Sequence, residues 1–172
     1  MRALMRVAVA VAVLTGTVVG TAGAAAGAPS DPPGAIFAFK AEDGAHPVDG
    51  RSGEWVAPDS EIRVWERQNN IVVIDAMNGL DDMWVELNAA GRVPLAVGTY
   101  VDVRNQLSGP AGNPGILVIS RGLGCGDDYA EFTIDRIERD SSEQLVALEA
   151  SVTQHCGSPD GPALNAHIHY QA

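Results

Sequence analysis

No apolar run in this 172-residue chain reaches the roughly 20 residues that a membrane-spanning helix requires. The longest, from Val7 to about Val19, follows Arg2 and Arg6 and leads into small side chains. That order of charge, short apolar stretch and small residues is the order of a secretory signal peptide, with cleavage expected after Ala24, Ala26 or Ala28. Residues 1–28 are therefore expected to be removed on export, residues 29–34 to form a flexible lead-in, and residues 35–172 to fold as a single domain. No cysteine stands at the end of the apolar run, so a lipid-anchored mature N-terminus is not available there. The mature chain is expected outside the cytoplasm, secreted or at the cell surface, with no membrane insertion after cleavage.

Basic side chains are also scarce. The chain has 11 Lys and Arg against 22 Asp and Glu, a formal charge of −11, and removing Arg2 and Arg6 with the leader leaves 9 against 22, or −13. A surface of that sign repels phosphate backbones and anionic membrane faces, so nucleic acid and lipid are poor partners and colloidal solubility is the simplest use of the charge.

Enzyme signatures are missing as well. There is no G-x-S-x-G elbow, no H-E-x-x-H, no glycine-rich phosphate loop and no glycosidase carboxylate pair. The acidic turns Asp81-Asp82 and Asp127-Asp128 lack the spaced oxygen ligands of a calcium loop and read as solvated turns. No cofactor is implied. Ser, His and Asp residues far apart in sequence can still converge in space, so a small exported hydrolase or metal-dependent enzyme stays as an alternative.

What the chain does contain is a succession of short apolar or alternating runs. They are Ala35–Lys40, Glu61–Arg67, Ile71–Met77, Asp82–Asn88, Gly98–Val103, Gly115–Ser120, Tyr129–Glu138, Gln144–Gln154 and Ala163–Tyr170. Turn formers such as Asn78-Gly79 and Ser108-Gly109-Pro110 separate them, which predicts an all-β fold, an antiparallel β-sandwich or barrel-like domain of about nine short strands. Residues two apart share a strand face. That places Val146, Leu148, Ala150, Val152 and Cys156 on one inward face, and Leu164, Ala166, Ile168 and Tyr170 on another, with Asn165, His167 and His169 outward. Ile137 falls out of step with Ala130, Phe132 and Ile134, which predicts a bulge near Asp135 and Arg136. The loop 157–162 is short enough to join the last two strands as a hairpin.

Two cysteines in an exported chain, neither in a C-x-x-C pair, are read as a Cys125 to Cys156 disulfide, with a catalytic thiol as the rival reading. Segments along the chain, LAVGTY (95–100), PGILVIS (114–120), GLGCG (122–126), Phe132-Thr133-Ile134 and Gln154-His155-Cys156 followed by Pro162-Ala163-Leu164, carry a resemblance. The chain resembles a family of exported bacterial all-β domains of unknown function with a glycine-cysteine turn and a closing F-x-Q-H-C-E-G…A-L-x-G hairpin. The likeness runs from about Ile36 to Tyr170 and implies an exported β fold with the same disulfide. Ala130, Gly157-Ser158 and Asn165 or Ala166 stand where the family pattern has other residues, and no catalytic residue, substrate or cofactor comes with the resemblance.

Two groups of side chains are candidates for chemistry. His155, His167 and His169 could converge on a metal if the hairpin register set His155 opposite Asn165 or His167; otherwise they are polar strand residues facing solvent. Trp65 and Trp84 lie out of phase with their apolar neighbours and are either packing residues or stacking platforms for sugars. The leading expectation is a non-catalytic extracellular binding or structural β domain with an unknown extracellular ligand or protein partner. A carbohydrate-binding module resting on the tryptophans is a further alternative.

Overall fold

The computed structural model describes residues 34–172, so the expected signal peptide and most of the lead-in lie outside the described residues. The described chain forms β1 (Gly34–Ala41), β2 (Ser52–Val56), β3 (Glu61–Arg67), β4 (Ile71–Asn78), β5 (Asp81–Asn88), β6 (Gly98–Asn105), β7 (Gly115–Ser120), β8 (Leu123–Gly124), β9 (Asp128–Arg139), β10 (Leu145–Cys156) and β11 (Ala163–Gln171). A single 3-10 turn at Ala90–Arg92 is the one helical element among the described residues, and none of them forms a helix long and apolar enough to cross a membrane.

The strands lie in the order β2-β1-β11-β10-β9-β6-β7-β5-β4-β3, and β8 pairs with β7. The sheet curls into a nearly closed barrel. β2 and β3, its two ends, are joined by the short turn at 57–60, and Arg139 at the end of β9 reaches Glu66 of β3 at 2.7 Å.

Alternation creates these strands and fills the barrel. In β1, Ala35, Phe37, Phe39 and Ala41 are buried and the intervening residues are not, as period-two geometry requires. Phe37, Met83, Leu87, Ile116, Phe132, Ile134, Leu148 and Ile168 all point inward with under 2% of their surface exposed. The loop after β1 adds Ala45 and Val48 to this core. β4 is the exception to alternation: every residue from Ile71 to Ala76 is buried, because its outer face is covered too.

Several features depart from the sequence reading. Two strands were not visible: β2 is five residues long with a glycine in its middle, and β8 is a single two-residue ladder. The pairing is antiparallel throughout except between β6 and β7, which run parallel over Arg104↔Gly115 and Asn105↔Ile116. Val146 is not inward. A register shift between Leu145 and Ala147 bulges it out of the ladder, so Leu145 is buried before the bulge and Ala147, Leu148, Ala150 and Val152 after it. The second shift of the same ladder leaves Asp135 as the extra residue, where the phase of Ile137 predicted a bulge.

Cys125 and Cys156 are disulfide-bonded, with Cα atoms 5.7 Å apart and a separation of 31 positions in sequence. The bond ties the turn before β9 to the end of β10. Closing a loop of that length stabilises the chain by about 3 to 4 kcal/mol through the entropy of the unfolded state. Replacing both cysteines with alanine should therefore lower the urea-unfolding free energy by about that amount while leaving the β-sheet circular dichroism intact; an unchanged unfolding midpoint would contradict the staple role.

Candidate functional site

The outer face around His155 is the first region that could bind something. In the β6–β9 ladder, Tyr100 pairs with Phe132 and Val103 with Ala130, so Val101 and Asp102 together oppose Glu131. This bulge holds Asp102 at a φ of 52°, in the left-handed region that a side chain seldom adopts. Beside it opens a groove of about 460 Å³ lined by Asp102, Arg104, Tyr129, Glu131, Thr153 and His155. The Arg104 guanidinium lies over the Tyr129 ring, 4.0 Å from its centroid. His155 Nδ1 is 2.6 Å from the Gly161 carbonyl. A carbonyl only accepts, so Nδ1 carries a proton, and in the neutral ring Nε2 is then the acceptor. The groove thus combines a fixed cation, two carboxylates, two hydroxyls and an imidazole.

The three histidines do not meet. His155 pairs with Ala163, not with Asn165 or His167, because the hairpin turn is shorter than either of those registers would need. His167 stands opposite Ser151 and His169 opposite Glu149, both on the outer face as the alternation indicated. Glu149 lies between them, its two oxygens 3.8 Å from His167 Nε2 and 3.7 Å from His169 Nδ1. Among the described residues no three His, Cys, Asp or Glu side chains are arranged to hold a metal ion.

The tryptophans do meet, but as packing residues. Trp65 of β3 and Trp84 of β5 reach across β4 and pack edge to face, with ring centroids 5.5 Å apart and an interplanar angle of 77°. Such a pair presents no single flat platform. The pair helps to cover the outer face of β4, with an Arg63–Asp75 ion pair at 2.5 Å on one flank and an Arg67–Glu86 pair at 2.6 Å on the other. Glu86 is 2% exposed and accepts from Trp84 Nε1 at 2.9 Å and from Gln106 Nε2 as well as from Arg67. Three donors, one of them charged, offset the cost of burying that carboxylate.

Asp128 corrects the solvated-turn reading: it is fully buried. It opposes Cys156 in the β9–β10 ladder and points into the barrel in phase with Ala130 and Phe132. Its Oδ2 accepts from Asn105 Nδ2 at 2.7 Å and its Oδ1 from Gln154 Nε2 at 2.6 Å. Burial holds its carboxyl above the usual aspartate range, outweighing the two amide hydrogen bonds and the nearby His46 that pull the other way. The other acidic turn is partnered rather than buried: Asp81 pairs with Arg51 and Arg121, and Asp82 accepts from the Arg121 backbone N–H at 3.1 Å. Only Gln154 left a trace in the sequence, as a polar residue in the inward phase between Val152 and Cys156.

The folded chain holds the Asp128 proton more tightly than the unfolded chain does. Unfolding therefore releases a proton, and this group's contribution to stability falls as pH rises above the usual aspartate range. Asp128→Asn removes that dependence, and the buried, unpartnered Oε1 of Gln154 can turn to accept from the new amide. Relative to this variant, the native chain should gain stability as the pH is lowered from neutrality toward the usual aspartate range, read from urea midpoints. Parallel pH responses of the two chains would show that Asp128 does not titrate there.

Compared with models of protein families, with curated proteins and with solved structures, the chain matches none of them.

Proposed function

We propose that the mature chain is an exported, non-catalytic β domain that acts by binding on the outer surface of its barrel. The observation that carries this reading is the packed interior. Phe37, Phe132, Met83, Leu87 and Ile116 fill the space in which a ligand-carrying barrel keeps its cavity. Recognition then falls to the outside, where the groove beside His155 offers polar groups around an apolar floor of Val101, Val103, Ala130 and Pro159. Export is supported by the order of Arg2, Arg6, the Val7 to Val19 run and the small residues after it. The Cys125–Cys156 bond suits an oxidising compartment, and the resemblance to exported β domains points the same way.

A second reading draws on the Val101–Asp102 bulge, which gathers Asp102, Glu131 and His155 around one groove. On that reading the chain is a small exported hydrolase, with the lone pair of His155 Nε2 serving as a general base.

Expression of residues 1–172 in a bacterial host should deliver a shortened chain to the periplasm or medium, with an N-terminus between Ala25 and Pro29 by mass spectrometry. A full-length chain retained in the cytoplasm would overturn the export claim. Against a broad panel of ester, peptide and glycoside substrates the purified chain should show no turnover above that of a His155→Ala variant. Turnover that disappears in the variant would establish the hydrolase reading instead.

A further inference from the structure

The register of β6, β9 and β10 sets the outward side chains of the His155 groove in two rows that run across the strands. Arg104 pairs with Tyr129 and Tyr129 with His155, so a guanidinium, a phenol and an imidazole stand side by side in one row. Glu131 pairs with Thr153, and the bulged Val101 and Asp102 oppose it from β6, so two carboxylates and a hydroxyl make the other row. The rows lie two strand residues apart, about 7 Å. All of these polar side chains reach the surface: Asp102 and Glu131 are exposed, and Arg104, Tyr129, Thr153 and His155 are half-buried.

The opposite charges of the two rows do not meet. Elsewhere in the domain Arg51, Arg63, Arg67, Arg121, Arg136 and Arg139 each pair with a carboxylate. Arg104 shares a groove with two carboxylates and pairs with neither, because its guanidinium is laid over the Tyr129 ring. A cation–π contact consumes no hydrogen bond, and no acceptor among the described residues takes a guanidinium N–H of Arg104. The carboxylates of Asp102 and Glu131 likewise have no donor among the described residues. Asp102 is held on its side of the groove by the bulge, where Asn113 Nδ2 donates to its backbone carbonyl at 2.8 Å. An exposed carboxylate alone is merely solvated. Here charges of both signs face one space and are kept from collapsing onto each other.

That arrangement narrows the ligand class. A simple anion would meet Asp102 and Glu131, and a simple cation would meet Arg104; a metal ion finds no three converging His, Cys, Asp or Glu side chains among the described residues. A ligand that carries both charges satisfies both rows, with its oxyanion toward Arg104 and its ammonium toward the carboxylates. The ammonium and carboxylate of an α-amino acid bridge about 7 Å with a hydrogen bond at each end. The floor between the rows is apolar, formed by Val103, Ala130 and Pro159 with Val101, which is 57% exposed. It suits an aliphatic or aromatic side chain.

We infer that this groove binds an apolar α-amino acid, whose carboxylate accepts from Arg104 and whose ammonium donates to Asp102 and Glu131 while its side chain covers Val101. The inference rests on the reading of the domain as a module that binds on its outer surface, and it gives that reading a ligand class.

The test is an NMR titration of the 15N-labelled mature chain with leucine and phenylalanine, with their N-acetyl forms, which lack the ammonium, with their amides, which lack the carboxylate, and with glucose. At least one of the two amino acids should produce saturable shifts of the Val101, Asp102, Tyr129, Glu131 and His155 backbone signals. Blocking either of its charged groups should weaken binding by about tenfold or more, as loss of a hydrogen bond to a charged group does. Arg104→Gln and Asp102→Asn should each weaken the amino acid to a similar extent. Arg104→Gln should cost the amide form little, since that probe has no carboxylate to lose. Asparagine tolerates the left-handed backbone of residue 102, so Asp102→Asn serves as the reporter if Arg104→Gln does not fold. No shift of these signals with either amino acid, or equal affinities for an amino acid and its two blocked forms, would overturn the inference. Shifts there with glucose and none with the amino acids would overturn it too, while leaving the binding-module reading in place.

Discussion

The carboxylate of Asp128, held between the amides of Asn105 and Gln154, is the interaction on which the arrangement of this barrel depends. It joins β9, β6 and β10 from the inside, directly beside the disulfide. Asn105 then extends the network in two directions. Its Nδ2 also donates to the Cys125 carbonyl at 2.9 Å, and its Oδ1 accepts from the backbone N–H groups of Leu107 and Ser108 and from the Ser108 hydroxyl. One asparagine thereby fixes the cysteine turn and starts the loop that leads from β6 to β7. A buried carboxylate without a cationic partner costs stability, and full satisfaction of its neighbours is what makes such a network specify one arrangement. Here the outer groove is built on strands that this network holds in register.

The barrel is recognisable in the sequence because most of its strands are half buried. Glu61–Arg67 and Gly115–Ser120 were delimited to the residue by alternation and turn formers, and the bulge at Asp135 was visible because one isoleucine fell out of phase. The failures have equally specific causes. β2 pairs along β1 through backbone hydrogen bonds and contributes mainly Trp55 to the core, so five residues carry too little periodicity to be noticed. Val146 looks inward by counting, but a bulge two residues into β10 resets the count. The parallel β6–β7 pair cannot be read at all, since no local pattern records which strands become neighbours.

The candidate sites were less legible than the fold. Pairing determines whether His155 meets His167, and an offset of four residues along the ladder separates them. Trp65 and Trp84 were seen to lie off the core face, yet only the structure shows that the two rings turn edge to face across Val73. The polar residues that matter most, Asp128, Glu86, Gln106 and Arg104, have no motif because each acquires its role from a partner far away in sequence. An Asp-Asp turn looks the same whether it faces water or a buried amide.

The covering of β4 on both faces bears on the life of the chain before it folds. Ile71–Ile74 is an uncharged run of four β-branched residues, the composition from which intermolecular cross-β stacks are built. Before it folds, the chain carries this run without its shield. In the folded domain, Arg63 and Arg67 of β3, Glu86 of β5 and Asp75 further along β4 stand around it, so the ion pairs that cover β4 also place charges beside the segment most prone to pair with another copy. Those pairs are gatekeepers of solubility as well as side chains of a finished wall.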